Sequence, residues 1–248
     1  MIKRFSAVTA VVLFAVCSVF AFQFSPLEQT FSPTGADSQK TFTIVNDSND
    51  SIAVVITALV RDQSETGEEL NTDASRYFSI SPSKVVVPAN SSQYVRVQYR
   101  GPSTVTSERS FRLRAEQVNY SLGRQESQQN MFNFLYIYTT AVYVAPAQVV
   151  SRLDITSLKP VIDEEGNKKM EVTMVNSGNV HQVTIGMSVT ITDPKGKQIT
   201  LSGTDQLPGV AGINILAKKK LVVLIPWPEE LEFPEDLSGS YKAAISFE

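Results

Sequence analysis

The sequence predicts an all-β protein built as two sandwich domains in tandem, preceded by a signal peptide. Three observations carry this. Short apolar runs of period two follow one another, separated by polar turns that contain Gly, Pro, Asn or Asp. No long stretch carries the 3.6-residue period of an amphipathic helix. The chain opens with a basic tetrapeptide and an apolar run of secretory type.

That opening reads Met1-Ile2-Lys3-Arg4, then runs apolar from Ala7 to Phe22 apart from Thr9, Cys17 and Ser18. Val19-Phe20-Ala21 is a small-residue cleavage site, so residues 1–21 are expected to be a signal peptide and the mature chain to begin at Phe22. The run is short of the ~20 apolar residues a transmembrane helix needs, so no membrane span is expected in the mature chain. Cys17 lies within this run behind Val16, where a lipoprotein signal wants a small residue. Cleavage takes the net charge from −3 to −5, with 20 basic against 25 acidic residues, and removes the one cysteine. The exported chain must then hold its fold by its core alone, and about 225 residues suffice for two sandwich domains. The acidic balance gives nothing for a nucleic-acid partner to bind.

Strand patterns then follow in order. Lys40 to Asn46 alternates with Phe42 and Ile44 inward, and the polar turn Asn46 to Ser51 leads to a β-branched run, Ile52 to Val60. Glu65-Thr66-Gly67-Glu68 turns the chain. Tyr77 to Ser81 is a short strand stopped by Pro82, and Val85 to Val87 another stopped by Pro88. After a turn at Ala89 to Ser92 comes Tyr94 to Tyr99. Phe111 to Val118 puts Phe111, Leu113 and Ala115 on one face, and Arg112, Arg114 and Glu116 on the other.

The last strand of this block is Met131 to Pro146, MFNFLYIYTTAVYVAP, behind a polar loop, Asn119 to Asn130. Phe132, Phe134, Tyr136 and Tyr138 fall on one side of it, Leu135 and Ile137 on the other. Bulky apolar groups on both faces mark a strand that is central in a sandwich or that shows one face to a partner. Covering such a row gains ~1.5–3 kcal/mol per side chain. The row serves equally as core of its own domain. About seven strands therefore precede Pro146, the number expected of an immunoglobulin-like sandwich.

The second block has its own strands: Met170 to Asn176, Val183 to Thr192, Leu221 to Pro226 and Tyr241 to Phe247, with a hairpin turn at Asp193-Pro194-Lys195-Gly196. With a boundary between Ala145 and Arg152, the domains are 22–146 and 147–248.

Catalytic and metal chemistry find little support. His181 is the sole histidine and reads as a surface turn residue, too isolated for a triad or a zinc site. Ser81-Pro82-Ser83-Lys84 satisfies the S-x-x-K string, but the proline lies between strands and not on a helix face. Asp163-Glu164-Glu165-Gly166 is an acidic solvated turn without EF-hand spacing, and Lys218-Lys219-Lys220 a solubilising edge device. No enzyme, cofactor or metal is expected.

Several segments together resemble the PapD-like periplasmic chaperones of pilus assembly. They are Phe42-Thr43-Ile44-Val45-Asn46-Asp47, Phe78-Ser79-Ile80-Ser81-Pro82, Val87-Pro88 followed by Val95-Arg96-Val97, Glu108-Arg109-Ser110-Phe111-Arg112-Leu113, and the strand closing in Tyr143-Val144-Ala145-Pro146. In the second block the resemblance is confined to Val175-Asn176-Ser177-Gly178-Asn179 and the late strands.

The resemblance implies a boomerang of two immunoglobulin-like domains in the periplasm, non-enzymatic, which binds pilus or fimbrial subunits and passes them to an outer-membrane usher. It implies donor-strand complementation, a form of β-augmentation, with Phe132, Phe134 and Tyr136 as donated side chains and Tyr138 continuing the row. The family anchors the subunit's terminal carboxylate with an arginine and a lysine; the matching positions here are Glu28 and Ala141. The family also pairs the glutamate that Glu108 matches with a basic residue before the strand-ending proline, and here that residue is Ala145. Any carboxylate anchor is thus expected from Arg112, Arg114 or Arg152, or from backbone pairing. The alternative is a structural Ig-like envelope module or pilin-like subunit without chaperone activity.

Overall fold

The computed structural model describes residues 22–119 and 135–247. The expected signal peptide, Phe132 and Phe134 lie outside them. Among the described residues no helix is long and apolar enough to cross a membrane.

Among the described residues the first domain holds ten strands: β1 (Gln23–Ser25), β2 (Glu28–Phe31), β3 (Gln39–Asn46), β4 (Ile52–Gln63), β5 (Glu69–Asp73), β6 (Phe78–Ser81), β7 (Lys84–Val87), β8 (Ser91–Tyr99), β9 (Arg109–Val118) and β10 (Ile137–Val144). They form two facing sheets. One has the order β1-β3-β8-β6; the other runs β2-β10-β9-β4-β5, with β7 also paired to β4. Alternation along each strand sends one side of each sheet into a common core. Phe24, Phe42, Ile44, Val95 and Val97 from the first sheet meet Val54, Ile56, Phe111, Leu113, Ala115 and Val142 from the second, all buried. Phe24 stacks on Phe42 at 5.4 Å, and Phe78 meets Phe111 edge-on at 5.0 Å.

The strand count exceeds the seven read from the sequence. β1 and β2 are too short to show a period, and Pro26 between them moves the chain from one sheet to the other. β5, Glu-Leu-Asn-Thr-Asp, is held by its hairpin with β4 and shows no apolar alternation. The expected inward sides of β3 and β9 are buried.

The second domain holds β11 (Leu153–Ile162), β12 (Lys168–Asn176), β13 (Gln182–Val183), β14 (Met187–Thr192), β15 (Gln198–Ser202), β16 (Asn214–Ile215), β17 (Lys220–Pro226) and β18 (Lys242–Phe247). Its sheets are β11-β12-β17, β15-β14-β18 and the pair β13-β16. Met170, Val172, Met174, Met187, Val189, Ile191 and Leu221 fill the core. The single strand expected over Val183 to Thr192 is two. Gly186, at φ +70°, breaks it where Thr184 leaves the ladder to bond the backbone of Val210 and Ile213. β11 shows no clean period of two because its register shifts between Ile155 and Ser157, and β15 has only Ile199 and Leu201 to mark it.

One device recurs in both domains. Asn46 ends β3 fully buried, its amide facing the carbonyls of Asp50, Val87 and Pro88 while its oxygen accepts from the Ser48 N–H. Asn176 ends β12 in the same way, facing the carbonyls of Val180, Ile215 and Leu216 and accepting from the Gly178 N–H. Each carboxamide satisfies carbonyls at a strand end, where the ladder has stopped supplying donors.

Candidate functional site

β10 is antiparallel to β9 over its whole length but meets β2 only from Ala141 to Val144. The N–H groups of Ala141 and Ala145 point to β2, bonding the carbonyls of Leu27 and Phe31, whereas the carbonyl of Tyr136 accepts from the Gln117 N–H of β9. By the alternation of an antiparallel ladder, the N–H and C=O of Ile137 and Thr139 then face the β2 side. Among the described residues no strand covers that side upstream of Ala141. This is an open sheet edge.

The side chains at the edge divide between two faces. Tyr136 and Tyr138 are half-buried and pack on the rim of the domain's core, Tyr138 meeting Phe22 edge-on at 4.8 Å. Leu135 and Ile137 point the other way and are 45% and 49% exposed. At the rim of an open sandwich one aromatic row can rest on its own core and still leave surface for a partner's.

The sheet face turned toward the second domain carries the charged groups. Glu28 and Ala141 are opposite one another in the parallel β2–β10 ladder, and Ala141 faces Arg112 on β9. Where the sequence comparison looked for two cations there is thus an exposed carboxylate beside a methyl group. Arg112 does not reach over them. Its Nε and Nη2 donate to the two oxygens of Glu69 at 2.9 and 2.5 Å, and Arg61 Nε donates to the same carboxylate at 2.8 Å. Hydrogen bonding from Arg112, with Asn71 and the charges of both arginines, outweighs desolvation and holds Glu69 at about 2. Arg114, two residues along β9, pairs with Glu116 at 3.1 Å. Arg152 stands apart from this group, exposed, and bonds Asp154.

At the crook between the domains, Tyr143 accepts at its hydroxyl from Arg61 at 3.1 Å and from Asn214 of the second domain at 2.8 Å. Burial raises the pKa of its phenol. Its ring stacks flat on His181, centroids 4.0 Å apart. His181 is therefore not the surface residue its turn suggested but an interdomain contact, bonded to Glu108. The basic triplet is likewise structural. Lys219 pairs with Asp62 at 2.5 Å and Lys220 with Glu65 at 2.7 Å, so the β4–β5 hairpin grips the second domain. The Val222 N–H completes the contact by donating to the Glu65 carbonyl at 2.6 Å. Arg61, Glu69, Tyr143 and Asn214 carry no motif, since they converge from three strands and a second domain.

Among the described residues no group of His, Cys, Asp or Glu side chains is placed to hold a metal ion. Asp163 caps its own turn, accepting from the N–H groups of Glu165 and Asn167.

Comparison with known proteins agrees with this architecture. No curated protein sequence matches the chain. Solved structures match over most of its length. One is a chain of the CsuC–CsuE chaperone–tip adhesion subunit pre-assembly complex from the archaic chaperone–usher Csu pili of Acinetobacter baumannii. It is 13% identical with a TM-score of 0.59, covering 84% of this chain and 88% of that one. The class 5 fimbriae chaperone CfaA is 16% identical with a TM-score of 0.55, covering 92% and 98%. A chain of the Salmonella enterica SafA pilin–SafB chaperone complex is 15% identical with a TM-score of 0.51, covering 84% and 85%. At such identities the likeness is one of fold. Residues 30–150 match the family model described as pili and flagellar-assembly chaperone, PapD N-terminal domain. That match spans the whole of β3 to β10, so the first domain is similar to the PapD N-terminal domain of pili and flagellar-assembly chaperones.

Proposed function

We propose that the protein is a periplasmic assembly chaperone that holds a pilus or fimbrial subunit by lending it β10, and delivers it to an outer-membrane usher. The observation that carries this is the open edge of β10 between Ile137 and Thr139, beside an apolar row already at the rim of the core. A subunit strand laid along this edge pairs with backbone groups that no described strand covers. Phe132, Phe134 and Tyr136 then enter the subunit's own core, with Tyr138 at the rim. Similarity to chains from chaperone–subunit complexes supports the reading.

The test is Thr139→Pro. Proline there removes an edge donor while leaving the bonds to β9, and a β-edge position tolerates its fixed φ. Tagged protein is purified from the periplasm and its companions identified by mass spectrometry. The expected result is a pilin-like subunit bound one to one to the native protein and lost from Thr139→Pro and Phe134→Asp, with the β circular dichroism spectrum of both variants unchanged. Self-association into fibres without a client, or a client retained by Thr139→Pro, would overturn the proposal.

A further inference from the structure

The outward face of the sheet β1-β3-β8-β6 has a chemistry of its own. From Ala74 to Ser107 the chain holds no Asp or Glu, against 25 in the whole sequence, and it carries Arg76, Lys84, Arg96 and Arg100. The fold gathers much of this stretch into β6 and β8. Val95 and Val97 turn into the core, so Tyr94, Arg96 and Gln98 face outward. Across the ladders Tyr94 stands beside Thr43, and Arg96 lies between Thr41 and Ser81. None of the four strands contains an acidic residue. Arg100, directly after β8, donates to the Gln98 side-chain oxygen at 3.2 Å. Its backbone N–H bonds the Tyr77 carbonyl, which brings the backbone of Arg76 alongside. Arg76 itself donates to the Tyr77 hydroxyl at 2.6 Å. Arg76, Lys84, Arg96 and Arg100 are all exposed, and among the described residues none of them pairs with a carboxylate. At the rim, Asp37 is paired with Lys40 and Asp47 accepts from Gln23. Tyr94 is 66% exposed.

We propose that this face docks the protein on an anionic phospholipid surface, through Arg96, Arg100 and Tyr94 with Arg76 and Lys84 at the margin. Three features favour lipid over a protein partner. Protein interfaces are registered by complementary charges of both signs, whereas this face carries one sign only. Guanidinium groups suit phosphate oxygens, and each cation held near an anionic leaflet adds to the attraction. An exposed tyrosine among them suits the headgroup level, where its ring meets acyl carbon and its hydroxyl meets water. The protein as a whole is acidic, with a net charge of −3, so an anionic leaflet draws in this face against repulsion from the rest. That opposition fixes the orientation. β10 belongs to the other sheet, across the core, so a docked molecule keeps its open edge free. The docking face does not rest on the reading of β10 as a client-binding strand.

The experiment is co-sedimentation with phosphatidylcholine vesicles, with and without phosphatidylglycerol, at low and at physiological salt. The protein is purified from the periplasm, so that the leader expected over residues 1–21 does not itself bind lipid. Native protein is expected to bind the phosphatidylglycerol vesicles, to leave pure phosphatidylcholine unbound, and to bind more weakly as salt rises. Arg96→Glu/Arg100→Glu should lower the partition coefficient about tenfold or more. Lys159→Glu/Lys242→Glu makes the same change of net charge on exposed residues of the second domain and should bind as the native protein does. Should the double reversal fail to fold, Arg96→Gln/Arg100→Gln removes both charges without inverting them, and a smaller loss in the same direction is expected. Poly-L-glutamate serves as the acidic polypeptide. A response to it without one to the vesicles would assign the face to an acidic protein and overturn the proposal. So would equal binding to pure phosphatidylcholine, or an equal loss in the second-domain control.

Discussion

His181 of the second domain closes on Glu108 of the first. Its ring Nδ1 lies 2.8 and 3.0 Å from the two carboxylate oxygens, and its backbone N–H donates to the same group at 3.1 Å. The Glu108 side chain is only 4% exposed, and its own backbone N–H bonds the carbonyl of Asn179. A carboxylate so placed depends on its partners. His181→Ala is expected to destabilise the protein by about 1–3 kcal/mol, and Glu108→Gln/His181→Ala by less than the sum of the single changes. Urea unfolding of the four proteins measures this; additive effects would mean that the pair contributes nothing as a pair.

Asn46 and Asn176 do equal work in the two domains, so Asn46→Ala and Asn176→Ala should cost similar amounts. Each leaves buried carbonyls without a donor, at about 1–3 kcal/mol per unsatisfied group. Thermal unfolding monitored by circular dichroism checks this. Two-domain unfolding that loses the first transition with Asn46→Ala and the second with Asn176→Ala would further show that each asparagine acts within its own domain.

Glu69 predicts a pH dependence. Its folded pKa is depressed to about 2 from 4.5, so the stabilising contribution is complete above pH 4.5 and is lost as pH falls from there toward 2. Glu69→Gln should flatten the stability profile within that window and leave its shape at neutral pH unchanged. Denaturant midpoints between pH 2 and 7 for both proteins decide it; identical acid limbs would show that the Arg112 pairing contributes no net stability.

Gly178 packs against the connection between the domains. A Cβ there would stand 2.4 Å from the Val150 carbonyl oxygen and 2.7 Å from the Arg152 nitrogen, both backbone atoms. Gly178→Ala must therefore push the connection away and break the bond from the Gly178 N–H to the Arg152 carbonyl. A drop in melting temperature with increased protease sensitivity around residues 145–152 is expected, and native protease resistance would contradict the close approach.

The sequence by itself determined the all-β class and the two sandwich cores. These follow from side-chain alternation, which is local: Phe42 and Ile44, or Phe111, Leu113 and Ala115, share a face whatever lies opposite. That Glu28 and Ala141 lie side by side is set by the parallel β2–β10 ladder. Tertiary structure alone decided the partners. Glu108 finds His181 at a separation of 73 residues, Arg112 finds Glu69 at 43, and Lys219 finds Asp62 across the domain interface. Each is a polar contact whose two ends lie on different strands or domains, and no periodicity records which distant charge a folded sheet brings near. The apolar strand could be read as an edge that meets a partner, but where that edge opens could not: whether a strand is flanked depends on where β2 begins to pair, after the chain around Pro26 has crossed between sheets.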